Sequence, residues 1–165
     1  MEIKGEVVTT PFSYIATTSA LVWEGIKPVF VDIESDTYNI DPAKIEEKIT
    51  PATSAILATH VFGCPCKVEA IQEIAERHNI KVVYDAAHAF GVRYKKKSLF
   101  SYGDVSSVSM HATKLFHTVE GGGIITDSDE LAFSFSKMRN FGHLGFDNYT
   151  GVGINAKCSE VHAAM

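Results

Sequence analysis

Between residues 28 and 85 the chain alternates short β-rich apolar runs with helix-forming segments, and this order constrains its fold more than any other feature. PVFVDI (28–33) is a run of β-formers with an acid, Asp32, next to its end, and DPAKIEEKI (41–49) reads as a helix with Asp41 as N-cap and Pro42 at its first position. SAILATHVF (54–62) reads as the next buried strand. VEAIQEIAERH (68–78) has the i, i+3, i+4 apolar spacing of an amphipathic helix, and KVVYD (81–85) is another short strand. Parallel strands cannot be joined by a tight turn, so a β-α-β-α-β order implies helical crossovers and a layered α/β domain.

The pattern continues on both sides. EVVTT (6–10) is a short strand before an aromatic-rich helix start, FSYIATTSALVW (12–23). VSSVSMH (105–111) and residues 121–126 read as strands, and SDELAFSFSKMRNF (128–141) reads as a helix capped by Ser128. EVHAAM (160–165) stops in mid-pattern without a C-cap signal. A sheet cut in this way leaves strand edges and helix faces uncovered, so the expectation is an internal fragment of a larger fold.

Composition narrows the classes of partner. With 45% hydrophobic and 21% charged residues the chain is too apolar for a disordered segment. Fifteen Lys and Arg against 20 Asp and Glu leave a net charge of −5, which gives no electrostatic reason to expect nucleic acid or an anionic membrane. No apolar run approaches the ~18 residues of a membrane-spanning helix. The start, MEIKGEVVTTPF, lacks the charged-then-apolar layout of a signal peptide, and three cysteines cannot all pair with each other. Cys64, Cys66 and Cys158 are therefore read as reduced thiols of a cytoplasmic protein. Cys64-Pro65-Cys66 lacks CxxC spacing, and His60, His88, His111 and His117 form no HxxxH or HxH pair, so no metal is expected.

Open α/β sheets bind ligands beyond the carboxyl ends of their strands. Asp85 ends KVVYD, and His88 follows three residues later. Lys114 comes just after VSSVSMH, with Ser109, His111 and Thr113 close by. If both strands are parallel members of one sheet, an acid and a lysine converge on one crevice. Pyridoxal phosphate uses both: a lysine amine for the Schiff base, and a carboxylate to keep the pyridine nitrogen protonated. It also needs an aromatic to stack on and hydroxyls around its phosphate, for which Tyr14, Ser109 and Thr113 are candidates. Taken singly, each residue has an ordinary structural use, Asp85 as a turn residue, Lys114 as a solvated charge and Tyr14 as core. Glycines 121 to 123 could cradle a phosphate or simply make a tight turn.

The joint arrangement resembles a known family. YDAAHAFG (84–91), YGDVSSVSMHATK (102–114) and EGGGIIT (120–126) look like successive signatures of the DegT/DnrJ/StrS sugar aminotransferases. TTPFSYIATTSAL (9–21) and GVGINAKCSEVHAAM (151–165) resemble the segments that flank them, and the series covers nearly the whole chain in family order. The resemblance implies a three-layer αβα sandwich with a mostly parallel sheet, the large domain of the pyridoxal phosphate-dependent, aspartate aminotransferase-like transferases. The N-terminal segment and the smaller C-terminal domain of that family would be absent.

By the same resemblance Lys114 is the Schiff-base lysine and acid/base, Asp85 pairs with the pyridine nitrogen, and His88 approaches the ring. Tyr14 stacks on the ring, Ser109 binds phosphate, and Asn155 reaches the phosphate of a neighbouring subunit's cofactor in a homodimer. Lys157 stands where many members have Arg. The implied reaction carries an amino group, expected from glutamate, to a nucleotide-linked keto-deoxysugar in lipopolysaccharide, capsule or related amino-sugar biosynthesis. TTPFSYIATTSALVWEG, ATHVFG and HATKLFHT look most like members that aminate C4 of dTDP-4-keto-6-deoxyglucose. The fragment alone is expected to be inactive. The rival reading is a non-catalytic relative that binds sugar nucleotide or acts as a scaffold.

Overall fold

A computed structural model describes residues 1–165. Its first half holds β1 (Glu6–Thr9), α1 (Ile15–Trp23), β2 (Lys27–Phe30), β3 (Thr53–Thr59), α2 (Val68–His78) and β4 (Lys81–Asp85). A two-stranded hairpin, β5 (Arg93–Tyr94) and β6 (Lys97–Ser98), precedes β7 (Val105–Ser109), β8 (Gly122–Ile125), α3 (Asp129–Met138) and α4 (Glu160–Ala164). The main sheet runs in the order β2-β1-β3-β4-β7-β8. All its pairs are parallel except β7 with β8, where Ser109 stands opposite Gly122. The sheet is thus α/β and mostly parallel, as the alternation of strand and helix patterns requires.

Side chains alternate across a strand, and this alternation builds two different faces. Val8, Ile56, Ala58, Val82 and Tyr84 point to one side, where they form a 16-residue core with Val68, Ile71, Ile74 and Ala75 of α2. Val7 and Ala55 point to the other, against Leu21 of α1, in a cluster of only three buried residues. Helix α2 buries the stripe that its spacing predicts, and it stops at Asn79, which takes the left-handed conformation common after a helix C-terminus. Helix α1 is apolar but covers little: Trp23 is 88% exposed.

One expected helix is a different structure. Residues 41–49 form two 3-10 turns, Pro42–Lys44 and Glu46–Lys48, rather than an α-helix. Asp41 does cap the first of them, accepting from Ala43 N. The bonds are then i to i+3, Ile45 N to Pro42 O and Lys48 N to Ile45 O. Fully buried Ile40 and Ile45 pin this short span to the core, and a tighter, longer-rise turn lets it reach them. The strand runs also end earlier than their apolar patterns, at Thr59 and Ser109, because the chain turns there into the loops that carry the polar residues. No helix is long and apolar enough to cross a membrane.

Candidate active site

Adjacent parallel strands bring the candidate residues together. Thr59 of β3 pairs with Asp85 of β4, and Asp85 pairs with Ser107 of β7. Leu57, Thr59, Val83, Asp85, Ser107 and Ser109 alternate with the core residues and face the opposite side of the sheet. With Tyr14, Thr17, His88, Thr113 and Lys114 they line a cleft of about 1010 Å³. Of the site residues expected from the sequence, Tyr14, Asp85, His88, Ser109, Thr113 and Lys114 therefore share one cavity. Asn155 does not line it. It is exposed near the end of the chain, in a bridge with Asn140, and its Oδ1 accepts from Lys157 Nζ at 2.5 Å.

Asp85 is held by both oxygens. Ala87 N donates to Oδ1 at 3.1 Å and Thr17 Oγ1 donates to Oδ2 at 2.6 Å. Behind Thr17, Ser13 Oγ lies 2.6 Å from Thr17 Oγ1 and 3.1 Å from Thr59 Oγ1. Each hydroxyl has one proton. Thr17 gives its proton to the carboxylate, so it must accept from Ser13, which must in turn accept from Thr59. The hydroxyls form a one-way relay ending on Asp85. Sequence reading missed Ser13, Thr17 and Thr59; the hydroxyl-rich stretch TTPFSYIATTS preceding and opening α1 is the only signal for the first two, and Thr59 has none beyond its place at the end of a strand run.

Lys114 is half-buried in the loop that joins β7 to β8. Met110 N donates to Gly121 O, and Thr118 N donates to Met110 O, which clasps the base of that loop. Thr118 Oγ1 would stand 2.5 Å from a Cβ at Gly121, so the clasp needs glycine there. Within the loop Lys114 N donates to His111 O, and Ser109 Oγ accepts from His111 N. Tyr14 is the residue before α1 and is 78% exposed at the cleft.

His88 stands beside a second constrained loop. Its ring is parallel to that of Phe62, with centroids 6.2 Å apart. Phe62 has φ 53°, a conformation that costs a bulky side chain roughly 1–2 kcal/mol. Buried Asn39 holds the loop in place, accepting from Val61 N and donating to Cys64 O and Pro65 O. Gly63 lets the chain pass close by, since a Cβ there would meet His88 O at 2.8 Å.

At the start of this loop His60 is fully buried, stacked on Tyr84 at 4.5 Å, with Nδ1 accepting from Cys66 N. Burial lowers its pKa from 6.5 to about 4, against a smaller opposing pull from Asp85. Between those values the unfolded chain binds a proton that the folded chain does not, so stability is full above pH 6.5 and falls as the pH falls toward 4. The expected loss is about 3 kcal/mol, read by urea denaturation of the chain from pH 7 to 4. His60→Asn should remove that part of the slope. Equal slopes in the two proteins would refute the assignment. Burial likewise pushes the Cys66 thiol up, and all three cysteines are free. No group of His, Cys, Asp and Glu is arranged to hold a metal ion.

The cleft thus joins an amine, a carboxylate fixed by two donors, and several hydroxyls on a partly apolar floor. The whole chain is similar to known proteins. The family model described as "DegT/DnrJ/EryC1/StrS aminotransferase family" matches residues 1–165. The dTDP-4-amino-4,6-dideoxy-D-glucose transaminase of Shigella dysenteriae is 51% identical over 163 residues, covering 99% of this chain and 44% of that protein. Among solved structures, DesI in the presence of its TDP-sugar product superposes with a TM-score of 0.92 at 39% identity, covering 99% of this chain and 42% of that one. NtdA from Bacillus subtilis with bound cofactor PMP superposes with a TM-score of 0.90 at 33% identity, covering 99% and 38%. The chain spans less than half the length of these relatives.

Proposed function

Because the chain belongs to the DegT/DnrJ/EryC1/StrS aminotransferase family, we propose that it forms the middle of the large domain of a pyridoxal phosphate-dependent sugar aminotransferase. One observation supports this reading above the others: Asp85, at the end of β4, and Lys114, in the loop after the neighbouring parallel strand β7, line a single cleft. The donor set fits the cofactor, with one amine, one carboxylate already held in place, and the hydroxyls of Ser109 and Thr113. Bound there, pyridoxal phosphate supplies a conjugated ring that takes up the electron pair released when a bond to the amine-bearing carbon breaks.

The chain's own residues divide the remaining work. Lys114 Nζ would hold the cofactor covalently and, once released, move a proton to and from the reacting carbon. Asp85 would accept a hydrogen bond from the protonated ring nitrogen, with its Oδ atoms fixed by Thr17 and Ala87. Tyr14 would cover one face of the ring, His88 would approach its edge, and Ser109 would donate to the phosphate. Asn155, outside this cleft, would serve the corresponding site of a second subunit in a cytoplasmic homodimer.

The substrate pair we propose is glutamate as amino donor and a dTDP-linked 4-keto-6-deoxyhexose as acceptor. The amino group goes to C4 of the sugar, whose keto oxygen leaves as water, and a water molecule supplies the keto oxygen of the 2-oxo acid left from the donor. The activity for which the Shigella relative is named supports the choice of sugar. A chain spanning less than half of such an enzyme should not transaminate by itself. The test is to mix it with pyridoxal phosphate, reduce with borohydride and map the peptides. A stable adduct on Lys114 supports the reading. Glutamate-dependent turnover by the 165-residue chain would overturn its inactivity, and absence of the adduct from the whole enzyme would overturn the role of Lys114.

A further inference from the structure

We propose that Thr17 is a positioning residue for Asp85, and that the relay behind it sets the acid and the aromatic of the cleft as one unit; this rests on the function proposed above. Thr17 is 7% exposed and makes a 2.6 Å bond to the carboxylate, so the bond is kept from competing water. The relay joins three separate elements: Thr59 ends β3, Ser13 and Thr17 flank the start of α1, and Asp85 ends β4. Tyr14 lies between Ser13 and Thr17 in the chain. The bonds that aim the carboxylate therefore also fix the backbone from which Tyr14 projects. Helix α1 needs this tie, because Tyr14 at its N-cap position makes no side-chain cap bond and few α1 side chains are buried.

The one-way order of the protons gives the proposal a direction. Thr17 touches Asp85, Ser13 acts through Thr17, and Thr59 acts through both. Losses should therefore grade along the chain, largest at Thr17 and smallest at Thr59. Valine at position 17 keeps the shape of threonine and removes only the donor, whereas serine keeps the donor.

The experiment uses the whole enzyme and measures the dissociation constant of pyridoxal phosphate by fluorescence titration. Thr17→Val should weaken binding ~10-fold, the worth of one hydrogen bond to a charged group, and Thr17→Ser should restore it to within ~2-fold. In an Asp85→Asn background, Thr17→Val should add much less than it does in the parent. Full additivity of the two changes, or failure of Thr17→Ser to restore binding, would overturn the proposal. A second readout needs no cofactor: the carboxyl-carbon NMR signal of Asp85 in the full 165-residue chain. It should move in Thr17→Val and stay in place in Thr17→Ser; no movement in Thr17→Val would overturn the proposal. A parent enzyme that binds no pyridoxal phosphate while these signals behave as expected would refute the cofactor reading and leave the positioning role standing.

Discussion

Lys114→Ala is expected to lower the turnover of the whole enzyme by ~10³-fold or more, the scale on which a positioned acid/base and nucleophile act together. Lys114 is the only lysine lining the cleft, so no neighbouring amine can replace it. The clasp formed by Met110, Thr118 and Gly121 fixes the loop through backbone bonds and does not use the Lys114 side chain. The variant should therefore fold normally and keep its cofactor without a covalent link. Steady-state rates with glutamate and keto sugar give the first measurement. Adding a small primary amine gives the second, since an amine diffusing into the vacated space should restore part of the rate. A rate within tenfold of the parent would eliminate the proposed role, and so would a slow variant that no amine rescues.

The second large effect is expected at Asp85. Asp85→Asn keeps the shape but removes the negative charge, and its single oxygen can accept from only one of Thr17 and Ala87, which bond to different oxygens of the carboxylate. A charged partner lost from a partly buried site costs about 3 kcal/mol, so cofactor affinity should fall ~100-fold. Turnover should fall with it even at saturating cofactor, because the ring nitrogen loses the group that keeps it protonated. Asp85→Glu separates charge from placement. It restores the charge on a longer side chain that the fixed donors no longer meet, and it should recover affinity only partly. Equilibrium dialysis with pyridoxal phosphate and saturation kinetics measure the two effects. Unchanged affinity in Asp85→Asn would refute the ring-nitrogen assignment.

Much of this site could be read from the sequence because its parts lie at strand ends. KVVYD and VEAIQEIAERH coincide with β4 and α2, since their short apolar run and helical stripe each bury one continuous face. Once β4 and β7 are parallel neighbours, Asp85 and the loop that carries Lys114 leave the sheet at the same edge. What could not be read depends on contacts made only after folding. Thr17 and Asp85 are 68 residues apart, and a threonine in a helix start ordinarily serves its own backbone. Phe62 falls within an apolar run that reads as strand, yet Asn39, 22 residues before Val61, bends that run into a left-handed turn. The 41–49 segment carries good helix signals, but anchoring Ile40 and Ile45 in the core decides in favour of tighter turns. Here tertiary packing overrides local preference.

The alternation along β3, β4 and β7 limits how such a protein can change. In β4, Val82 and Tyr84 belong to the core, while Val83 and Asp85 belong to the cleft. Losing one residue within that strand would turn the phenol toward the cleft and press the carboxylate against isoleucine and alanine. Point substitutions can therefore retune one face and spare the other, but a gain or loss of a single residue damages both together. Length can change without disturbing either face only outside the strands, where their register is untouched.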